Sequence, residues 1–248
     1  MLGLLGGLSV ATDLGTGAPL EESLKRAFVA TRLARALGCD DAVVRDVIYT
    51  SLLQHLGCTA YAHESAGVWG DDIAAVRLAF LTDFTAPTDV WRTWVSGIAE
   101  ATGASRPRVL GTTLTAGRRM DAEGMTATCE VALNAARQLG LSSSVQSSLF
   151  HTLAMWNGKG HPEVGGQTIP LSTRVMQVAS VAVLFAHHAG VDVAIAQVRR
   201  RAGTYLDPEL ADVFLSRARE ILGGLDDLDA HRCVLDSEPD PVLSLIHI

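Results

Sequence analysis

The chain has 248 residues, 48% hydrophobic and 19% charged, with a formal net charge of −7. This composition excludes disordered and collagenous chains, and the negative balance, with a pI near 5.6, gives no general attraction to nucleic acid or to anionic membranes. Aromatic residues are sparse at 5% while Ala and Leu abound, which favours helix over strand.

The apolar opening from Met1 to Ala11 reads as a first helix, ended by Asp13 after too few residues to span a bilayer; no positive charge precedes Lys25, and a cytoplasmic protein is expected. Pro19 and Gly38 bracket a second helix with Leu20, Leu24, Phe28 and Thr31 down one side and Glu22 in its first turn, where a carboxylate is expected to be solvated and favoured by the helix dipole. Asp40 caps a third, buried helix, surrounded by Val43, Val44, Val47, Ile48, Leu52, Leu53 and Leu56 up to Gly57; Gln54 and His55 then lie inside and need partners. Tyr61 to Gly70 reads as a loop carrying His63 and Glu64, which with His55 could form a substitute metal site or be an ordinary surface pair.

Helices are expected from Asp71 to Thr82 and from Thr88 to Thr102, the latter with an apolar stripe of Trp91, Trp94, Val95 and Ile98 that serves the core or could stack a base. A helix over 106–119, weakened by Gly111, and a long one over 121–140 follow, the second turning Cys129, Ala132, Leu133 and Ala136 inward. Ser142 to Ser144 cap a helix with Val145, Leu149, Leu153 and Trp156 on one face. Trp156 closes it, and Gly158 and Gly160 free the backbone of a tight loop that presents Asn157, Lys159 and His161, although an ordinary connector would have the same look. Pro170 opens a helix carrying Leu171, Val175, Val178, Ala182 and Phe185, and two more follow over 191–202 and 207–223, the last capped by Asp207. Arg118-Arg119 and Arg199-Arg200-Arg201 read as solvated helix faces, and 236–242 as a linker. Cys39, Cys58, Cys129 and Cys233 are too far apart, without paired spacing, to indicate a disulfide framework or a zinc ribbon.

The run from His151 to Gly190 resembles the second half of an HD-GYP domain, whose tract reads His-His-Glu-x-Trp-Asp-Gly-Lys-Gly-Tyr-Pro, then Ile-Pro-Leu-x-x-Arg, then Val-Ala-Asp. Trp156, Gly158, Lys159, Gly160, Pro162, Ile169, Pro170, Leu171, Arg174, Val178 and Ala179 match it. Upstream, Leu52-Leu53-Gln54-His55-Leu56-Gly57-Cys58 keeps the frame of the family's Leu-Leu-His-Asp-Ile-Gly-Lys without its ligands, and the resemblance covers roughly residues 8 to 225. It implies an all-α, HD-domain-like helical bundle over 1–235. At the family's metal-ligand positions stand Glu22, Gln54, His55, Thr152, Leu153 and Ser180, with His151 one position off the His pair, so no catalytic or metal residue is assigned. His55, His63, His151 and His161 could rebuild a metal site only if they converge. Lys159 and Arg174 correspond to residues that lie nearest a bound phosphodiester in the family; with Asn157 and His161 they are the candidate ligand-binding residues, unless the two cations pair with acids such as Glu163.

The leading expectation is a catalytically degenerate HD-GYP-like module, sensory or protein-interacting, in a bacterial signalling or transcriptional regulator, where such modules precede a better-kept HD-GYP module and a helix-turn-helix domain. It would take a cyclic dinucleotide or another phosphate-bearing ligand and need no cofactor. The alternatives are a divergent metal-dependent phosphohydrolase of the cyclic di-GMP phosphodiesterase type, using iron, manganese or zinc, and a structural dimerisation domain. Leu243 to Ile248 resembles the in-frame translation of a sequencing adapter, so 243–248 is expected to be a non-native tail of a truncated reading frame, with a natural apolar tail as the alternative.

Overall fold

The computed structural model describes residues 1–225 and 229–239, with side chains outside 116–122. The expected all-α class holds: among the described residues no strand forms beyond an isolated bridge between Ala202 and Leu206. The chain opens with α1 (Leu2–Gly15), α2 (Glu22–Ala36) and α3 (Asp41–Leu53). Asp40 caps α3 as its position predicts, its carboxylate accepting from the Val43 amide at 2.9 Å.

Four short helices, α4 (Ala62–Trp69), α5 (Asp72–Leu81), α6 (Pro87–Asp89) and α7 (Ser96–Thr102), form a side unit, with a π-helical segment (Val90–Val95) joining the last two. Another π-helical segment (Thr113–Gly117) joins α8 (Arg106–Thr112) to the long α9 (Arg118–Gln138). The remainder is α10 (Ser143–Phe150), α11 (Leu171–Ala189), α12 (Val191–Arg201), α13 (Pro208–Ser216), α14 (Ala218–Ile221) and α15 (Ala230–Asp236).

The main core forms where α2, α3 and α11 pack on one another, each with most of its residues buried. Leu24, Leu33, Ile48, Leu52 and Phe214 are fully buried there. A second, smaller core lies in the side unit, where Trp69 meets Trp94 edge-on at 5.0 Å beside Val95, Ile98 and Val109. Of the expected aromatic stripe, Trp94 goes inside and Trp91 stays 43% exposed.

Several local expectations are corrected. α1 continues through Asp13 to Gly15, and α2 starts at Glu22, leaving Leu20 63% exposed. α3 stops at Leu53, short of Gly57, and α10 at Phe150, short of Trp156, because turns replace their last expected helical residues. His63 and Glu64 lie on a helix, α4. Of the α12 arginines, Arg199 is exposed as expected, but Arg201 is buried and donates to the Leu81 carbonyl and Arg200 pairs with Asp89 at 3.0 Å, so these two fasten the turn before α6. The Arg118-Arg119 face lies outside the described side chains.

The expected linker is tied down over its first residues, with the Glu238 carboxylate accepting from the Tyr49 hydroxyl and the Pro239 carbonyl from Arg45. Residues 240–242 and the expected tail at 243–248 lie outside the described residues.

Gly57 sets the approach of α9 to the turn after α3. A Cβ at this position would stand 2.0 Å from the Thr128 carbonyl oxygen, with backbone on both sides of the clash. Gly57→Ala is therefore expected to destabilise by about 1–3 kcal/mol, read as a lower urea midpoint at unchanged slope.

Candidate functional site

A buried polar cluster lies where α1, α2 and the end of α3 meet. Asp13, the lone charge in α1, is fully buried and accepts from the Ser23 amide at 2.9 Å and from the Ser23 hydroxyl. Arg26, one turn into α2, is 1% exposed. Its Nε donates to the Ser51 carbonyl at 3.0 Å, one Nη to the Ser23 hydroxyl, and the other approaches His55 Nε2 at 3.4 Å. An arginine can only donate, so His55 Nε2 accepts and the imidazole proton sits on Nδ1, 3.6 Å from the Asp13 carboxylate. Phe80 packs on the ring at 4.9 Å.

Burial and the neighbouring Arg26 charge bring the His55 pKa down to about 4, so the imidazole is neutral at pH 7. Burial opposes ionisation of Asp13, but His55, Arg26 and Ser23 outweigh it and hold its carboxyl below the usual range.

Glu22 is also inside, in contrast to the solvated residue expected from its helix position. It is 5% exposed, and its two carboxylate oxygens accept from Arg77 of α5 at 3.1 and 3.2 Å. Arg77 also reaches His188 Nε2 at 3.1 Å. Burial and the adjacent Arg77 lower the His188 pKa, which leaves that ring neutral as well.

The positions aligned with metal ligands do not fit a metal. The Glu22 carboxylate is bidentate on an arginine, and the His55 lone pair faces another. Thr152 is buried, with its hydroxyl donating to the Leu149 carbonyl; Leu153 has no donor atom; Ser180 contributes a half-buried hydroxyl. The Gln54 Oε1 and Gln177 Oε1 atoms are buried and unpartnered among the described residues, yet they are neutral amides without the charge that a divalent ion requires. Burial raises the Cys58 thiol to about 12 and the Cys129 thiol to about 11, so neither offers a thiolate. Among the described residues no three His, Cys, Asp or Glu side chains are grouped to hold an ion.

The four candidate histidines are dispersed. His55 is inside the arginine cluster, His63 is exposed on α4, His151 bonds to the Ser147 carbonyl of its own helix at 2.7 Å, and His161 contacts the Thr126 hydroxyl at 3.3 Å.

The Trp156–Pro162 tract forms a compact loop. The Trp156 and Asn157 amides donate to the Tyr205 and Thr204 carbonyls, and the Asn157 side chain accepts from the Lys159 amide at 3.0 Å. Gly160 is required there, since a Cβ would stand 2.4 Å from the Leu153 carbonyl oxygen. Arg174 is committed to Asp207 at 2.6 Å and to the Ile169 carbonyl, so it braces the loop against α13; its acidic partner is Asp207, where Glu163 had been considered. Lys159 is exposed, and its ammonium has no partner among the described residues. A cavity of about 310 Å³ lies in the side unit between Trp69, Ile98, Thr102 and Arg108, and no candidate residue lines it.

Asp13, Ser23, Arg26 and Arg77 were missed in the sequence. The legible signal was a lone acid inside an otherwise uncharged helix, and an arginine four residues after Glu22 among α2 residues that are buried on nearly every side.

No family model matches the chain. It is 25% identical over 240 residues to the 3'3'-cGAMP-specific phosphodiesterase 3 of Vibrio cholerae, covering 94% of this chain and 51% of that protein. It also resembles the crystal structure of a cyclic GMP-AMP-specific phosphodiesterase from V. cholerae, with a TM-score of 0.70 at 22% identity, covering 96% of this chain and 54% of that one. The chain thus spans about half the length of the proteins it matches. Likeness along almost the whole of this chain makes it an all-α protein of HD-domain-like fold.

Proposed function

We propose that this chain is a non-catalytic HD-like module of a cyclic-dinucleotide signalling protein, serving sensing or interaction. The observation that carries the proposal is that the two aligned positions able to ligate a metal are taken by arginines, Glu22 by Arg77 and His55 by Arg26. A phosphodiesterase of this fold needs metal ions to clamp the phosphate and activate water, and among the described residues the side chains at these positions leave no anionic donor free for one. The Asn157–His161 loop retains a ligand role, with Lys159 as its exposed cation and the loop backbone as a source of amide donors.

One observation favours a second reading, in which the chain is itself a metal-dependent phosphodiesterase. The matched protein is named as a phosphodiesterase, and the likeness runs through 94% of this chain; on the comparison alone this reading has the stronger support. The two are compatible at the level of the whole relative, because an activity named for a protein twice as long can reside in the half outside the match.

Elemental analysis and a hydrolysis assay on 3'3'-cGAMP with added manganese or iron separate them. The first reading expects little bound metal and no linear product. It also expects cyclic-dinucleotide binding, measured calorimetrically, to weaken about tenfold in Lys159→Ala through loss of one charge-assisted contact. Stoichiometric metal with turnover would establish the second.

A further inference from the structure

The α1–α2–α3 cluster is balanced in charge without any ion from solution. Its ionised groups are Asp13 and Glu22 on one side and Arg26 and Arg77 on the other, two against two, with His55 neutral between them. Each nitrogen of the Arg26 guanidinium already faces an acceptor: the Ser51 carbonyl, the Ser23 hydroxyl and His55 Nε2. These acceptors belong to α2, α3 and the turn after α3, and Ser23 is in turn bonded to Asp13 of α1, so one planar cation joins three helices. At 1% exposure it is screened from water. Arg26 also follows Glu22 by four residues, which places both side chains on one face of α2.

We infer that this junction is a guanidinium site, filled by the chain's own Arg26, which performs as a permanent internal cation the cross-linking of acid and imidazole that a metal ion would otherwise supply. The inference rests on the non-catalytic reading and gives it a physical cause: a divalent ion would enter a space that is already positive and find the imidazole lone pair taken. The planar, forked donor set suits the site because its acceptors lie in three directions, whereas an ammonium or a spherical ion presents no such fork.

The test is rescue of a truncated side chain. Arg26→Ala is expected to melt about 10 °C lower than the parent protein. Millimolar methylguanidinium is expected to recover roughly half of that loss, with no gain from equal concentrations of sodium, manganese or zinc and no effect on the parent chain. No rescue by methylguanidinium, or equal rescue by manganese or zinc, would overturn the inference.

If Arg26→Ala does not fold, the parent protein and Arg26→Lys decide. Nitrogen-resolved NMR of the parent is expected to show one arginine Nε–H protected from solvent exchange at pH 7, absent in Arg26→Lys; a spectrum in which every arginine Nε–H exchanges freely overturns the site. Turnover by the unaltered chain would instead count against the non-catalytic reading, so the two failures are distinguishable.

Discussion

Asp13→Ala is expected to destabilise the fold by about 3–5 kcal/mol, because it strips a neighbouring carboxylate charge from an arginine that remains buried. The Asp13 oxygens accept from the Ser23 amide and hydroxyl and lie 3.6 Å from His55 Nδ1, so the change also leaves two donors unmet and takes the facing carboxylate from the imidazole. The exit of the Arg26 guanidinium to water is blocked, since it is 1% exposed and held by the Ser51 carbonyl on the far side.

The double variant Asp13→Ala/Arg26→Met is expected to be more stable than Asp13→Ala alone, since removing both charges leaves no uncompensated ion. Urea unfolding of the four proteins in this cycle measures the coupling. Equal midpoints for Asp13→Ala and the parent protein would mean that the cluster is hydrated and the charge balance described for it does not hold.

The same cluster marks where sequence reading succeeded and where it stopped. The helices, the Asp40 and Asp207 caps and the interior positions of Gln54 and His55 could be read from periodicity and capping chemistry, because those signals are local. The partners of the interior groups could not. Asp13 is 42 residues before His55, and Arg77 is 55 residues after Glu22, so these pairings follow from helix packing that no local pattern encodes.

Glu22 shows the competing forces clearly. The helix dipole favours a carboxylate at a first turn, as expected, but α5 lies over that end and brings Arg77, so a residue read as solvated becomes a buried ion pair. The Trp156–Pro162 tract was legible as a tight loop, yet the acid that holds Arg174 against it is Asp207, which also caps α13, and only the fold brings the two together.

Acidification from pH 6.5 to 4 is expected to remove on the order of 3 kcal/mol of stability through His55 alone. In the unfolded chain this imidazole takes up its proton near its ordinary 6.5; in the folded protein burial and Arg26 delay protonation to about 4. Between those values the unfolded state holds the extra proton, so stability rises with pH across the interval and falls as the solution is acidified. Asp13, whose folded pKa is also depressed, acts in the same direction below its ordinary value of 3.8. His188 is lowered too, but it is exposed, and solvent screening makes its share small.

Urea midpoints measured from pH 7 to pH 4 should therefore drop steadily in the parent protein and much less in His55→Gln, which keeps a neutral acceptor for Arg26 and has no proton to gain. A parent profile that is flat across this range would place His55 in contact with water and remove the reason for regarding its lone pair as held by Arg26.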